Sequence, residues 1–307
     1  MTLASVLIPA FRSADTLGIA VHSALRQTQP DLEVLIVGDG VDEATRSVAV
    51  ALAHEDARVR FLDLAKAENR GELNRDVGIH EARSDVIVYL ADDDILLPTH
   101  VENVLELMRD HNFVQSKNGY IAPGDVLELF PADLSNPLNV AWHLQDPPRN
   151  AVSITGTAHS RELYLRLDHG WEVPPPGLWS DLHMWRAFFR HPDFSGATHA
   201  ALTTLQFPAT VYPDIDGEDL RSMMQRWDSF SRHPDVVERT AALVAEAERR
   251  TMVTMSMRLT ELSFAYAELQ ELAAAAERSR TEEQAAIFAT LSWRVTAPLR
   301  SVRRRLR

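Results

Sequence analysis

Four short apolar runs, separated by stretches with helical spacing, are the feature that most constrains this fold. The runs are rich in β-branched residues, which favours buried strands. They cover Ser5–Pro9, Leu32–Val37, Val59–Leu62 and Val86–Leu90. The segments between them carry apolar residues at helical intervals, and Asp42 can serve as the N-cap of the second helix. This β-α-β-α order predicts a mostly parallel sheet with helices on both faces.

Polar residues follow three of these runs, at Pro9–Arg12, Gly38–Gly40 and Asp92–Asp94. Ligands of parallel sheets bind beyond the carboxyl ends of the strands. We therefore expect the three segments to meet at one edge of the sheet and to form one site.

The last of these segments is a run of three aspartates. Crowded carboxylates repel one another, and a divalent cation relieves that repulsion. Mg²⁺ or Mn²⁺ held by one or two carboxylates completes its shell with water and phosphate oxygens. The cluster therefore predicts metal-assisted phosphate chemistry. The alternative is a solvated acidic turn in which Asp94 caps the next helix.

Length and composition set broad limits. The 307 residues, of which 45% are hydrophobic, suffice for one large α/β domain and an appendage. The absence of cysteine excludes disulfides and thiolate metal sites. Neither a signal peptide nor the roughly 18 apolar residues of a membrane span is present, so the expected compartment is the cytoplasm.

The charge is unevenly distributed. The chain carries a net −13, yet residues 290–307 contain six arginines and no acid, which leaves −19 on the remainder. An acidic body argues against a general nucleic-acid binder, and the basic tail is expected to seek an anionic partner.

Residues 236–287 contain neither proline nor glycine and are almost all helix-forming. Apolar residues there alternate steps of three and four, at Met252, Met255, Leu259, Leu262, Tyr266, Leu269, Ala273 and Ala276. This heptad seam predicts a coiled coil and a homo-oligomer, either dimer or trimer. The alternative is a helix that packs back on the first domain. The expected organisation is a catalytic domain over 1–212, a helical extension over 213–288 and a basic amphipathic tail over 289–307.

Five segments in order resemble family 2 glycosyltransferases with the GT-A fold. They are Val6–Phe11, Glu33–Gly40, Glu68–Gly71, Asn74–Ile79 and Tyr89–Pro98. The resemblance runs from about Ser5 to Phe207 and implies an α/β, Rossmann-like domain. It also implies an enzyme that moves a sugar from a nucleotide-sugar to a bacterial surface polysaccharide or a lipid-linked acceptor.

The resemblance implies a donor site. Pro9, Ala10 and Phe11 would line the base and the ribose. Asp39 would accept a hydrogen bond from N3–H of uracil or thymine, which favours UDP- or dTDP-sugars over GDP-sugars. Arg75 would neutralise the diphosphate or pair with Asp39.

The acidic cluster receives separate roles on the same grounds. Asp92 would face the ribose or a metal-bound water, and Asp93 would ligate Mn²⁺ or Mg²⁺ between the diphosphate oxygens. Asp94 would cap the following helix or support the other two carboxylates. The metal would stabilise charge on the departing diphosphate.

Inverting members of the family need a general base, and Asp181 stands in the matching segment. Its pKa would have to be raised by burial under Trp179 and Trp185 or by nearby carboxylates. The alternative is a helix N-cap at Ser180 or Asp181. His159, with the two tryptophans, would lie on the acceptor side.

The segment Ala289–Arg300 resembles the ends of some bacterial surface-polysaccharide transferases. We expect it to lie on an anionic membrane, at the inner face of the plasma membrane. The alternatives are a disordered tail or one that docks on the acidic body.

A rival function is a degenerate domain that acts as a scaffold, because Gly38 and Ala91 stand where the family usually has acids. A nucleotidyltransferase would need a glycine- and lysine-rich loop where Pro9–Arg12 stands. A haloacid-type phosphatase would need Asp-x-Asp-x-Thr, whereas the acidic cluster continues with Ile95 and Leu96.

Overall fold

The computed structural model describes residues 2–130, 132–207, 217–290 and 294–296. Its strands are β1 Ala4–Ala10, β2 Leu32–Asp39, β3 Val59–Leu64, β4 Val86–Tyr89, β5 Ile95–Leu96, β6 Phe113–Ser116, β7 Asn118–Ala122, β8 Val126–Phe130, β9 Thr157–Ser160, β10 Gly196–His199 and β11 Thr204–Leu205. Its helices are α1 Leu17–Leu25, α2 Glu43–Glu55, α3 Glu72–Glu81, α4 His100–Leu107, α5 Pro137–His143, α6 Arg161–Tyr164, α7 Ser180–Arg190, α8 Gly217–Ser231 and α9 Val236–Ala289.

A seven-stranded sheet forms the centre, in the order β10-β6-β9-β4-β1-β2-β3. Strands β1 to β4 are parallel to their neighbours among themselves, as the alternating sequence predicts. Strand β9 runs antiparallel between β4 and β6. Every residue of β2 is buried, which is typical of a strand covered by helices on both faces.

Alternate residues of β1 enter two separate cores. Val6 packs with residues of α1 and α2, such as Val21. Leu7 packs on the opposite face with Ile79 of α3 and with residues of α7. The period of two along the strand therefore divides the helices between the two faces of the sheet.

The compact unit that contains this sheet extends to Glu248, beyond the boundary expected at residue 212. Helix α8 and the first turns of α9 bury Met224, Trp227 and Ala247 against Ile95 and Leu97. This segment therefore belongs to the core of the first unit, and the division expected from the change in composition falls inside it.

The second unit comprises Arg249–Arg307. The expectation of a long helix is confirmed, since α9 continues to Ala289. Side chains of the heptad seam, including Met252 and Leu262, are more than half exposed. The oligomer stays a prediction.

Among the described residues, no helix combines the length and apolar character needed to cross a membrane. Most of the expected membrane-binding tail lies outside the described residues.

Candidate active site

Two cavities open at the carboxyl edge of the sheet, with volumes of about 630 Å³ and 200 Å³. Arg70, Arg75, Ala91 and Ile154 line both, so the cavities are neighbouring parts of one cleft. The expected meeting of the three strand ends is thus confirmed. The smaller cavity contains every residue expected at the donor site, namely Pro9, Ala10, Phe11, Asp39, Arg75 and Asp92. The larger one contains Asp93, Trp179 and Asp181.

Asp39 ends β2 and is held by three donors. Its carboxylate accepts from Lys66 Nζ at 2.6 Å, from the Ala67 amide at 2.8 Å and from Asn74 Nδ2 at 2.7 Å. The side chain therefore organises the loop that precedes α3. Among the described ion pairs the cation beside Asp39 is Lys66. The expected alternative, a pair between Asp39 and Arg75, is not formed.

Phe11 presents an aromatic face to the smaller cavity, and the residue is 40% exposed. Lys66 Nζ lies 5.3 Å from the centre of its ring, and the guanidinium carbon of Arg12 lies 5.1 Å from it. Such cation–π contacts restrain the ring without covering it fully. The arrangement leaves Phe11 able to stack on a planar ligand.

Arg75 is the most unusual cation of the cleft. Its Nη2 donates to the carbonyl oxygen of Arg70 at 2.9 Å, and its guanidinium lies 4.7 Å from the ring centre of Trp171. Its Nε and Nη1 are buried without a hydrogen-bond partner. Burial lowers the pKa of Arg75, while Glu72 and other nearby groups oppose that change. Unpaired buried donors on a cation are costly, so this guanidinium is suited to an anionic ligand.

The carboxylates of the acidic cluster have different surroundings. Asp92 Oδ2 accepts from the Phe11 amide at 3.4 Å. Burial raises the pKa of Asp92 and of Asp93, and the neighbouring carboxylates raise that of Asp93 further. Neighbouring buried carboxylates are costly to ionise. A hard divalent cation bound to them would stabilise their ionised forms. Asp93, on the wall of the larger cavity, would hold such an ion, and Asp92 stands beside it.

Asp94 does not cap a helix, so that alternative is wrong. Strand β5 follows it directly, and the N-cap of α4 is Thr99. Asp94 is buried and accepts from the Phe207 amide at 2.8 Å and from Thr155 Oγ1 at 2.5 Å. Burial raises its pKa to about 7. The Asp94 side chain thus links the segment after β4 to two distant segments of the chain, at Thr155 and at Phe207.

Another group of metal-ligating side chains lies among the described residues, at His169, Glu172 and His183. Glu172 Oε1 is 3.0 Å from His183 Nε2 and 3.6 Å from His169 Nδ1. The two imidazoles stack at 4.5 Å with planes 12° apart. Because the lone pairs lie in the ring planes, nearly parallel rings cannot direct them at one ion without rotating. In the observed geometry His183 is hydrogen-bonded to Glu172, whereas His169 Nδ1 lies 3.0 Å from the carbonyl oxygen of Gly170.

Asp181 lies in the first turn of α7 and lines the larger cavity. Its Oδ2 accepts from Asn150 Nδ2 at 2.9 Å, and its Oδ1 accepts from the Leu182 amide at 2.8 Å. Burial raises its pKa, the direction that a general base requires. The N-cap of α7 is Trp179 without a side-chain bond, and Ser180 Oγ donates to Glu72 instead.

The expected acceptor-side residues divide into two groups. Trp179 lines the larger cavity and is 55% exposed. His159 and Trp185 are fully buried and line neither cavity, so the expectation that they lie on the acceptor side of the cleft is not met by either. His159 Nε2 lies 2.8 Å from Tyr89 Oη, and Trp185 Nε1 donates to the carbonyl oxygen of Val152 at 3.0 Å. Their residue types alone could not reveal this, because burial depends on distant segments.

Several lining residues were missed by sequence reasoning. They are polar amides and aromatic rings of the larger cavity, namely Asn118, Tyr120, Phe130, Asn150, Trp171 and Gln206. They come from strands and loops far apart in the chain, and no local motif marks them. Glu72 was also missed, because an acid in the first turn of a helix is ordinarily a surface residue.

Comparisons with known proteins agree with this architecture. Residues 5–135 match the glycosyl transferase family 2. Over 119 residues the chain is 29% identical to the putative teichuronic acid biosynthesis glycosyltransferase TuaG of Bacillus subtilis, covering 38% of this chain and 46% of TuaG. Over 100 residues it is 34% identical to the succinoglycan biosynthesis protein ExoO of Rhizobium meliloti, covering 33% of this chain and 28% of ExoO.

The chain spans less than half the length of these curated relatives and less than a fifth of others that match it. A crystal structure of S. aureus TarS 1-349 in complex with UDP-GlcNAc superposes with a TM-score of 0.54 at 14% identity. It covers 81% of this chain and 72% of that one. Fold, strand-end site and family match agree: residues 5–135 of this chain match the glycosyl transferase family 2, and the fold is of the GT-A type.

Proposed function

We propose that this chain is an inverting, metal-dependent glycosyltransferase. It takes a sugar from a UDP- or dTDP-sugar and adds it to a growing cell-surface glycan or a lipid-linked acceptor. The observation that carries the proposal is the pair of buried guanidinium nitrogens of Arg75, Nε and Nη1, that lack a hydrogen-bond partner where the two cavities adjoin. A diphosphate there would supply the missing hydrogen-bond acceptors and the opposite charge.

The smaller cavity is the proposed nucleotide site. Phe11 offers a stacking face, and Asp39 offers an acceptor for the N3–H of a pyrimidine. Lys66, which already contacts both side chains, adds a cation at the same wall. TarS, crystallised with UDP-GlcNAc, provides a precedent for this donor class on the same fold.

Asp181 is the proposed general base of a single displacement. Its carboxylate accepts the proton of the acceptor hydroxyl as that oxygen attacks the anomeric carbon. Its raised pKa favours this proton transfer, and the bond from Asn150 fixes its orientation. Arg75 holds the departing diphosphate. A divalent ion held by Asp93, when bound, would neutralise charge on the leaving group.

The larger cavity is the proposed site for the transferred sugar and the acceptor. Aromatic residues such as Trp179 and Tyr120 can cover apolar faces of sugar rings, while Asn118 and Gln206 can bond hydroxyl groups. TuaG is named for teichuronic acid biosynthesis and ExoO for succinoglycan biosynthesis, and these two glycan products favour a glycan acceptor.

A panel of nucleotides tests the donor class. With Mn²⁺, UDP or dTDP should raise the melting temperature, whereas GDP should not. Asp93→Ala should lose the metal dependence of nucleotide binding. Asp181→Asn should keep nucleotide binding and lose transfer, and near-normal transfer would contradict the assignment. A wild-type protein that binds no nucleotide would favour the scaffold alternative.

The C-terminal segment has proposed partners of its own. The exposed heptad seam supports a homo-oligomer, since apolar residues at this spacing gain most from a second helix. Sedimentation of the full chain tests it, and a monomer at all concentrations would exclude it.

The Arg-rich tail is proposed to bind anionic membranes. Equal co-sedimentation with anionic liposomes after truncation at Thr290 would exclude that role.

A further inference from the structure

A fully buried carboxylate joins two walls of the cleft. Glu72 is the first residue of α3 and has no solvent-exposed surface. Its Oε1 accepts from Asn69 Nδ2 at 2.8 Å and from the hydroxyl of Ser180, and its Oε2 accepts from the Arg70 amide at 2.9 Å. Asn69 and Arg70 line the larger cavity, and Arg70 also lines the smaller cavity of the proposed donor site, while Ser180 begins the helix that carries Asp181.

The local bonds of Glu72 are explained by helix formation. The N-cap of α3 is Gly71, which has no side chain to offer, and an acid in the first turn interacts favourably with the helix dipole. The bonds from Asn69 and Arg70 would suffice for this purpose. The bond from Ser180, which is 108 residues away in the chain, is not needed to start α3. Burying a carboxylate completely is costly, so this remote contact calls for a further reason.

Two of the three partners of Glu72 lead to a group of the proposed reaction. The carbonyl oxygen of Arg70 accepts from Arg75, whose free nitrogens are the proposed diphosphate ligands. Ser180 directly precedes Asp181, the proposed base. One carboxylate therefore connects the segment that would hold the leaving group with the helix turn that would hold the base.

We propose that Glu72 is a positioning residue that couples donor binding to the placement of Asp181. This inference rests on the proposed function. When a diphosphate engages Arg75, the Arg70 backbone and the Glu72 carboxylate are held more firmly. The bond from Ser180 then holds the first turn of α7 more firmly, so the base is better ordered when a donor is present.

Hydrogen exchange of the full-length protein tests the coupling without an acceptor. The probe is UDP, or dTDP, with Mn²⁺, and the reporters are peptides that cover residues 66–75 and 178–186. In the wild type, nucleotide should slow exchange in both peptides, by about fivefold or more in the second. Ser180→Ala removes only the link to α7. It should keep the slowing at 66–75 and change the nucleotide affinity by no more than about fivefold, while losing most of the slowing at 178–186.

Two further variants control the comparison. Ser180→Thr retains the hydroxyl and should restore the slowing at 178–186. Ser229→Ala removes a hydroxyl that bonds within its own helix, to the carbonyl oxygen of Gln225, and should behave as the wild type. A purely structural bond would loosen α7 in the Ser180→Ala variant equally with and without nucleotide.

The outcomes separate the inference from the function on which it rests. If nucleotide slows exchange at 66–75 alone in the wild type, or at 178–186 equally in Ser180→Ala, the coupling is wrong while the donor site stands. If no nucleotide slows exchange at 66–75 in the wild type, the donor site is wrong and the coupling falls with it.

Discussion

Gly71 lies directly against the carboxylate of Asp39. A Cβ atom on Gly71 would come within 2.6 Å of Asp39 Cγ and Oδ2, and the backbone of Gly71 has φ of +78°. Only glycine meets both conditions, since a left-handed conformation is costly for other residues and the space is filled. The close approach holds the loop before α3 against the end of β2.

Gly71→Ala should therefore weaken nucleotide binding as well as stability. The left-handed backbone should cost about 1–2 kcal/mol, and the clash should displace the Asp39 carboxylate from the smaller cavity. Gly124→Ala is the matched control, because Gly124 has φ of +82° with nothing within 4 Å of the added atom. Urea unfolding and UDP titration should show a stability loss in both variants and lost affinity only in Gly71→Ala. Unchanged affinity there would contradict the nucleotide site.

Arg75→Met should separate phosphate binding from folding. The variant keeps an unbranched side chain against Trp171 but removes the buried nitrogens that lack partners. Charge-assisted hydrogen bonds contribute roughly 1.5–3 kcal/mol each, so UDP should bind at least tenfold more weakly. Uridine, which has no phosphate, should lose little affinity. Arg109→Met on the exposed surface serves as the control, and an equal loss for UDP and uridine would exclude a phosphate role.

The rate of transfer should fall on acidification at a higher pH than an exposed aspartate would cause. Asp181 acts as a base only when it is deprotonated, and burial raises its pKa above the ordinary value of about 3.9. Activity is thus retained above the raised pKa and lost as the pH falls through it. A pH profile of kcat measures this limb. Its persistence in the residual activity of Asp181→Asn would assign it to another group.

The same pKa has a consequence for stability with the opposite sign. A carboxyl group whose pKa is raised by folding stabilises the folded state below its unfolded pKa, and that contribution is lost as the pH rises through the folded value. Asp181→Asn should therefore be more stable than the wild type at pH 8, and the advantage should shrink at pH 4. Urea unfolding at the two pH values measures the difference. An advantage that is equal at both would contradict the linkage.

Two buried histidines should make the fold sensitive to acid. Burial lowers the pKa of His100 to about 3 and that of His159 to about 4, below the unfolded value of about 6.5. Between these pKa values the two imidazoles are protonated in the unfolded chain and neutral in the folded chain. The free energy of unfolding therefore falls as the pH drops below 6.5. Each histidine should contribute about 1.2 kcal/mol per pH unit between pH 6 and pH 5, because the unfolded imidazole is still partly neutral at pH 6. His100→Asn should reduce that slope by this amount and leave the slope at pH 8 unchanged; an unaltered slope would exclude His100 as a source.

Features that depend on near neighbours in the chain could be predicted. The apolar runs identified β1 to β4, and the ends of three of the runs indicated the edge where Pro9, Asp39 and Asp92 meet. Asp42 caps α2 through a bond to the Thr45 amide, three residues away, as its position indicated. Each depends on a period of two or of 3.6 residues, or on a bond within one turn, which a linear sequence displays directly.

Other features depend on contacts between distant segments, and only the tertiary structure decided them. Asp94 was expected at a helix start, yet its partners are Thr155 and Phe207. His159 lies under the cleft because β9 inserts between β4 and β6, a pairing that no local pattern specifies. Glu72 meets Ser180 across 108 residues. Sequence determined which elements form and where their polar ends lie. Packing determined which of those polar groups became buried and with which partners, because burial and long-range hydrogen bonds exist only after the elements have assembled.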